Sequence, residues 1–127
     1  MNLGLLLAVA AGGALGSVAR YLAGIGATRL FGLGFPWGTL IVNIAGSFLI
    51  GAFVELFALR WDLPQEGRVF LTVGICGGFT TFSTFSLDTW ALMERGDWGL
   101  AAAYILGSVV LSIGALIGAL YLVRAAG

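Results

Sequence analysis

Four long apolar runs, separated by short loops, dominate the pattern of hydrophobic and polar positions along this chain. We predict membrane spans at about residues 3–30, 38–59, 69–93 and 99–123. Each run reaches or exceeds the roughly 20 apolar residues with which an α-helix crosses a bilayer. The pattern therefore predicts an all-α membrane protein with four transmembrane helices, forming a single integral membrane domain over residues 1–127.

The third run contains a polar, glycine-rich stretch at residues 74–86, which crossing lipid alone would not require. The stretch holds the pair Gly77-Gly78, five hydroxyl side chains and three phenylalanines. Each glycine weakens a helix by about 1 kcal/mol, and backbone groups freed by a break must find other partners inside the bilayer. We therefore predict that the third helix is broken near Gly77-Gly78, with carbonyls and hydroxyls turned toward an ion or a wet pathway.

Polar side chains recur at intervals of four residues on the second and fourth runs. This spacing keeps them on one face of a helix, and a polar stripe on an apolar span is expected to face the bundle interior. The stripes are Thr39, Asn43 and Ser47 on the second span, and Tyr104, Ser108 and Ser112 on the fourth. These groups could instead serve only to join helices, which we favour for Ser47. The Asn43 amide is costlier to bury, and we expect it to have a functional role.

Two small-residue motifs predict faces where helices pack closely. Gly12 and Gly16 share one face of the first span, and Gly114 and Gly118 share one face of the fourth. Such spacing lets another backbone approach.

Charged residues within the predicted spans are costly unless they face a partner, a cavity or the interface. For Arg20 in the first span, two interpretations stay open: the side chain snorkels to the headgroup region, or it lies in a vestibule that collects anions. Glu55, near the end of the second span, is expected to reach the interface or to pair with Arg60.

The arginines are divided almost evenly between the two sides of the predicted bundle. Arg60, Arg68 and Arg124 belong to one side, and Arg29 and Arg95 belong to the other, with Arg20 nearer the second group. The positive-inside rule needs a bias of basic residues to fix an orientation. We therefore predict that the chain inserts both ways round and that two copies pair antiparallel, because four spans alone enclose little of a pathway.

Composition excludes several classes of protein. The formal net charge is zero, so there is no basic patch for nucleic acid. The chain has no histidine and a single cysteine, Cys76, which excludes a disulfide framework within the chain and a Cys/His metal cluster. No nucleophile–base pair is recognisable, so we do not expect an enzyme. The first apolar run lacks a basic leader, and we interpret it as a retained span.

The polar groups near mid-span favour a small anion over a cation. Hydroxyls and amides donate hydrogen bonds without negative charge, and a phenyl ring has a positive edge. A cation pathway would need acidic rings or convergent carbonyls, whereas the acids near the spans, Glu55 and Asp88, lie toward span ends. Carbonyls at the broken helix favour a cation instead. The two indications are compatible if a structural cation is fixed at the break and the anion passes elsewhere.

These motifs resemble those of the Fluc fluoride channel family, also called CrcB, over nearly the whole chain. The likeness rests on the run from Gly77 to Phe85, on Trp37-Gly38-Thr39 followed by Asn43, on residues 13–20, and on Tyr104 with Ser108. The resemblance implies a channel of the cell (inner) membrane that exports fluoride passively and limits its toxicity. It also implies an antiparallel dual-topology homodimer with a structural sodium ion at its centre.

The resemblance further implies roles for individual residues. The backbone carbonyls of Gly77 and Thr80 from each copy would hold the sodium ion, and Arg20 would lie in the vestibule. The fluoride pathway would include the ring edges of Phe82 and Phe85, together with Asn43, Thr39, Tyr104, Ser108 and Ser112. This chain has Asp88 where the family usually has glutamate, so the role of Asp88 is left open.

Two other functions stay open from the sequence. A small multidrug exporter has a similar size and often a dual topology, but its proton coupling normally uses an acid within the membrane, and the first span has none. A non-transporting assembly subunit would use its polar stripes only to join helices. Mutational insensitivity of Asn43, Phe82 and Phe85 would indicate the latter.

Overall fold

The computed structural model describes residues 2–126, and every regular element in that part of the chain is a helix. Helices α1 (Leu3–Phe31) and α2 (Trp37–Leu59) form the first two spans. The third span, Gln65–Glu94, comprises α3 (Gln65–Val69), a π-helical stretch (Phe70–Cys76), α4 (Gly77–Phe79) and α5 (Phe82–Glu94). Helix α6 (Trp98–Ala126) is the fourth span. All four are long and apolar enough to cross a membrane, which confirms the predicted four-helix membrane fold.

The third span begins earlier than its hydrophobic pattern predicts. Its first turn carries Gln65, Glu66 and Arg68, which are polar and therefore suggest a loop. Pro64 precedes the helix in an extended conformation, and a residue before the first turn adopts that backbone readily. Glu66 in the first turn also complements the positive end of the helix dipole.

The first span packs against the first half of the third span, and glycines allow the two backbones to meet. An ideal Cβ on Gly12 would lie 2.5 Å from the carbonyl oxygen of Phe70, and one on Gly16 would overlap the carbonyl oxygen of Ile75. The close-packing face predicted for the first span is thereby confirmed. The motif on the fourth span behaves differently, because a Cβ on Gly114 or Gly118 would meet nothing within 4 Å in the described chain.

The third span is interrupted as predicted, but the interruption comes after the glycine pair. Gly77 and Gly78 belong to α4, whereas Thr80 (φ −90°, ψ 160°) and Thr81 (φ −154°, ψ 125°) are extended. The predicted position of the break, near Gly77-Gly78, was therefore wrong by two to three residues. A Cβ on Gly78 would lie 2.6 Å from the carbonyl oxygen of Gly13, so this glycine serves close helix packing and does not end the helix.

The second span packs mainly along the fourth, and an ion pair joins their ends. Arg124 Nε donates to Glu55 Oε1 over 3.0 Å, while the Arg60 guanidinium donates to the carbonyl oxygen of Ala126. The predicted pairing of Glu55 with Arg60 was therefore wrong. Sequence proximity favoured Arg60, but the α2–α6 packing brings a distant arginine to the carboxylate.

Candidate functional site at the break in the third span

The Asn43 side chain of α2 holds the break in place. Its Nδ2 donates to the carbonyl oxygen of Thr81 over 3.0 Å, and its Oδ1 accepts from the Thr81 N–H over 2.8 Å. The Thr81 hydroxyl in turn accepts from the N–H of Thr84 over 3.1 Å, which caps the N-terminus of α5. A half-buried amide thus satisfies both backbone polar groups of Thr81, which the interior of a membrane requires to be paired.

The carbonyls of Gly77 and Thr80 are among those that lose their helical donors at this break. In a continuous α-helix the Gly77 carbonyl would accept from the N–H of Thr81, and the Thr80 carbonyl would accept from the N–H of Thr84. Both N–H groups donate elsewhere, to Asn43 and to the Thr81 hydroxyl. The two carbonyls lie at the C-terminal end of α4, where the helix dipole is negative. Unwound carbonyls at half-helix ends are ligands that sodium sites in membrane proteins use, so these residues fit the predicted cation.

Side-chain metal ligands do not offer an alternative site in the described chain. Within residues 2–126, no group of three or more histidine, cysteine, aspartate or glutamate side chains could hold a metal ion. A cation bound at the break would therefore depend on backbone oxygens.

A groove of 830 Å³ runs beside the break and brings together most of the predicted site residues. It is formed where α2, α6 and the two halves of the third span meet. Its lining includes Asn43, Gly77, Thr80, Phe82, Phe85, Ser108 and Ser112. The lining carries no carboxylate, and its one formal charge is Arg68 at one end.

Two hydroxyls along this groove have no hydrogen-bond partner. The Oγ atoms of Ser108 and Ser112 on α6 are buried, and neither contacts a donor or acceptor within residues 2–126. Burial of an unpaired hydroxyl is unfavourable. Both hydroxyls are therefore unpaired, and both serines line the groove.

Three aromatic rings follow one another from the groove to the interior. The ring centroids of Phe82 and Phe85 lie 5.5 Å apart, and those of Phe85 and Tyr104 lie 5.1 Å apart, each pair tilted by about 45°. The Phe82 side chain is 78% exposed in the single chain, whereas Tyr104 is fully buried. The predicted pathway residue Tyr104 therefore lies behind the groove and does not line it.

Asp88 on α5 connects two of the predicted polar residues. Its Oδ2 accepts from the Thr39 hydroxyl over 2.7 Å and from the Tyr104 hydroxyl over 3.1 Å. The shorter side chain of aspartate thus reaches both donors. The sequence alone did not assign a role to Asp88, although Thr39 and Tyr104 begin the two polar stripes. Thr39 and Asp88 also line a third cavity, of 290 Å³, beside the first loop.

A second cavity, of 500 Å³, contains the predicted vestibule residue. Arg20 lies in its wall, and Arg20 Nε donates to the carbonyl oxygen of Gly78 over 3.2 Å. Thr39 and Thr84 belong to this cavity, and Thr81 lines both it and the groove. The extended residue Thr81 at the break is therefore shared by the walls of both cavities.

The fold and this site define a small multi-pass membrane protein whose third span is interrupted at a polar break between two cavities. The family described as CrcB-like protein, Camphor Resistance (CrcB), matches the chain over residues 7–120. The chain belongs to this family, which confirms the membership that its motifs predict.

Individual relatives are similar over nearly their whole length. The chain is 67% identical over 119 residues to a "Fluoride-specific ion channel FluC" of Nitrobacter winogradskyi, covering 94% of each sequence. It is 60% identical over 116 residues to the protein of that name from Agrobacterium fabrum, covering 91% of this chain and 93% of the relative. For the protein of Rhodospirillum centenum the identity is 52% over 122 residues, with 96% and 97% covered.

Proposed function

We propose that this protein is a fluoride-specific ion channel that carries fluoride passively out of the cytoplasm and so limits its toxicity. The observation that carries the proposal is the 67% identity, over 94% of both chains, to a protein named as such a channel. The chemistry of the site agrees with it, because the groove beside the break offers hydrogen-bond donors and ring edges without a carboxylate. A pathway for cations would be expected to be lined by rings of aspartate or glutamate side chains.

Fluoride is small and strongly hydrated, so the pathway must replace its water in steps. In this proposal Ser108 and Ser112 donate their unpaired hydroxyls, and the rings of Phe82 and Phe85 present their positive edges to the ion. Several modest sites in series allow the ion to leave as readily as it enters. Asn43 has both polar atoms engaged with Thr81, so its part is to fix the break that the pathway follows.

Two copies of the chain form the functional channel in this proposal, paired antiparallel. The groove is open along one side of the single chain, and the Phe82 ring is largely exposed there. A second copy would cover this face. The even division of arginines supports insertion in both orientations. A C-terminal tag should then be accessible from both sides of the membrane, and the purified protein should have the mass of a dimer.

The proposed sodium ion would be held between the copies by the backbone carbonyls of Gly77 and Thr80 from each. The sodium ion would supply a fixed positive charge at the membrane centre. The residues of this chain prepare the site, because Asn43 and the Thr81 hydroxyl withdraw the N–H donors that those carbonyls would otherwise use.

Liposomes that contain the purified protein test the proposal. A fluoride electrode should record rapid efflux of fluoride, and a chloride electrode almost none. Phe82→Ala and Phe85→Ala should depress fluoride efflux, whereas Phe48→Ala, an exposed phenylalanine of α2 outside the groove, should not. Equal fluoride and chloride efflux in the unmodified protein would refute the channel. Unchanged efflux in both ring variants would remove the ring edges from the pathway.

A further inference from the structure

The second cavity carries a second arginine, at a different depth from Arg20. Arg29 of α1 lines the same 500 Å³ space. It lies nine residues further along the helix, which corresponds to a rise of about 13 Å at 1.5 Å per residue. Arg20 is half-buried beside the break, whereas Arg29 is exposed near the end of α1. The cavity therefore has one cation at its floor and one at its mouth.

Nothing in the cavity wall neutralises these two charges. Its lining residues include Arg20, Arg29 and four threonines but no aspartate or glutamate. Within residues 2–126, the Arg29 guanidinium has no ion pair and no side-chain hydrogen bond, whereas Arg95 and Arg124 pair with Asp97 and Glu55. A cleft lined by one sign of charge between apolar walls concentrates ions of the opposite sign.

The cavity also leads to the site that the proposed pathway uses. Thr81 at the break lines its inner end and lines the groove as well. The Arg20 side chain at the floor is partly engaged, since its Nε donates to the Gly78 carbonyl. The Arg29 charge has no such contact and is free to act on ions in solution.

We propose that Arg29 forms an outer collecting site for small hydrated anions at the mouth of the second cavity. The inference rests on the proposed fluoride conduction and adds to it a residue that sets the rate of ion supply. Arg29 acts by long-range attraction and makes no lasting contact with a dehydrated ion. It therefore increases fluoride delivery at low salt without changing the preference for fluoride over chloride.

Single-channel currents in neutral-lipid planar bilayers test this role. Fluoride is held constant while an impermeant salt raises the ionic strength from about 10 mM to about 1 M, which shortens the screening distance from about 30 Å to about 3 Å. Arg29→Gln should reduce the current about twofold or more at the low value and leave it unchanged at the high value. Arg29→Lys should restore the current. Arg60→Gln removes the same charge outside the cavity and should match the unmodified protein.

Three results would overturn the inference. A normal low-salt current in Arg29→Gln would show that its charge does not supply ions. A reduction that persists undiminished at high salt would indicate a structural role. A low-salt loss that appears only in bilayers with anionic lipid would assign Arg29 to lipid phosphates instead. Failure of fluoride conduction itself would be separate, because the unmodified protein would then carry no fluoride current at any ionic strength.

Discussion

Substitution of Gly12 by alanine tests whether the contact between α1 and the π-helical stretch positions the break. The added Cβ would lie 2.5 Å from the Phe70 carbonyl oxygen, 2.8 Å from Gly74 Cα and 3.0 Å from the Ile75 nitrogen. A carbon–oxygen contact is comfortable at about 3.3–3.6 Å, so the two helices must separate by about 1 Å. All three obstructing atoms belong to the backbone, and none can rotate away.

The expected energy change combines two opposing effects. Overpacking a close contact costs typically about 1–3 kcal/mol, and backbone atoms on both sides place this case near the upper end. Alanine recovers roughly 1 kcal/mol of helix propensity relative to glycine. The net destabilisation is therefore about 2 kcal/mol. A shift of about 1 Å would also break the Arg20–Gly78 hydrogen bond, which is already long at 3.2 Å.

Gly13 provides the matched control, because it is the next residue of the same helix and a Cβ there would meet nothing within 4 Å. Gly13→Ala gains the same propensity without the clash. In detergent, Gly12→Ala should melt several degrees below the unmodified protein and Gly13→Ala at or above it. In liposomes, fluoride efflux of Gly12→Ala should fall by about tenfold or more. Equal melting and equal efflux in the two variants would refute the claim that this contact positions the break.

Four further substitutions separate structural roles from roles in conduction. Asn43→Leu removes the two hydrogen bonds to Thr81, of about 1 kcal/mol each, and should lower both the melting temperature and fluoride efflux. A normal value of either would contradict the role of Asn43 in fixing the break. Ser108→Ala and Ser112→Ala remove unpaired hydroxyls, so we expect reduced efflux with equal or higher melting temperature, and a drop in stability without a drop in efflux would contradict this. Tyr104→Phe keeps the buried ring but withdraws a donor from Asp88; it should depress fluoride current while the fold persists, and an unaltered current would remove the Tyr104 hydroxyl from the predicted pathway.

The sequence was sufficient for features that depend on local pattern. Apolar runs of membrane length predicted four spans, and the four-residue spacing of Gly12 and Gly16 predicted a close helix crossing that the structure contains. The Gly77-Gly78 pair, in a stretch rich in hydroxyls, predicted an interrupted third span. Each of these signals is contained in a few neighbouring residues.

Features that depend on contacts between spans could not be predicted in the same way. The break lies at Thr80 and Thr81 because the Asn43 side chain forms two hydrogen bonds with the backbone of Thr81, which is 38 residues away in the sequence. Glycine propensity suggested an earlier position. Likewise Glu55 pairs with Arg124, 69 residues along the chain. The packing of α2 against its neighbours decides both outcomes, and that packing is not visible in either residue's local sequence.

The hydrogen bonds at the break couple the proposed cation site to the proposed anion route. Asn43 takes the N–H that the Gly77 carbonyl would use, and the Thr81 hydroxyl takes the N–H that the Thr80 carbonyl would use. The same two interactions fix Thr81 where it lines both the groove and the second cavity. A change that repaired the helix would therefore remove the carbonyl ligands and, in the same step, displace the one residue that lines both cavities. Sodium binding and fluoride conduction should consequently be lost together in Asn43 variants, whereas the serine variants of α6 should lose conduction alone.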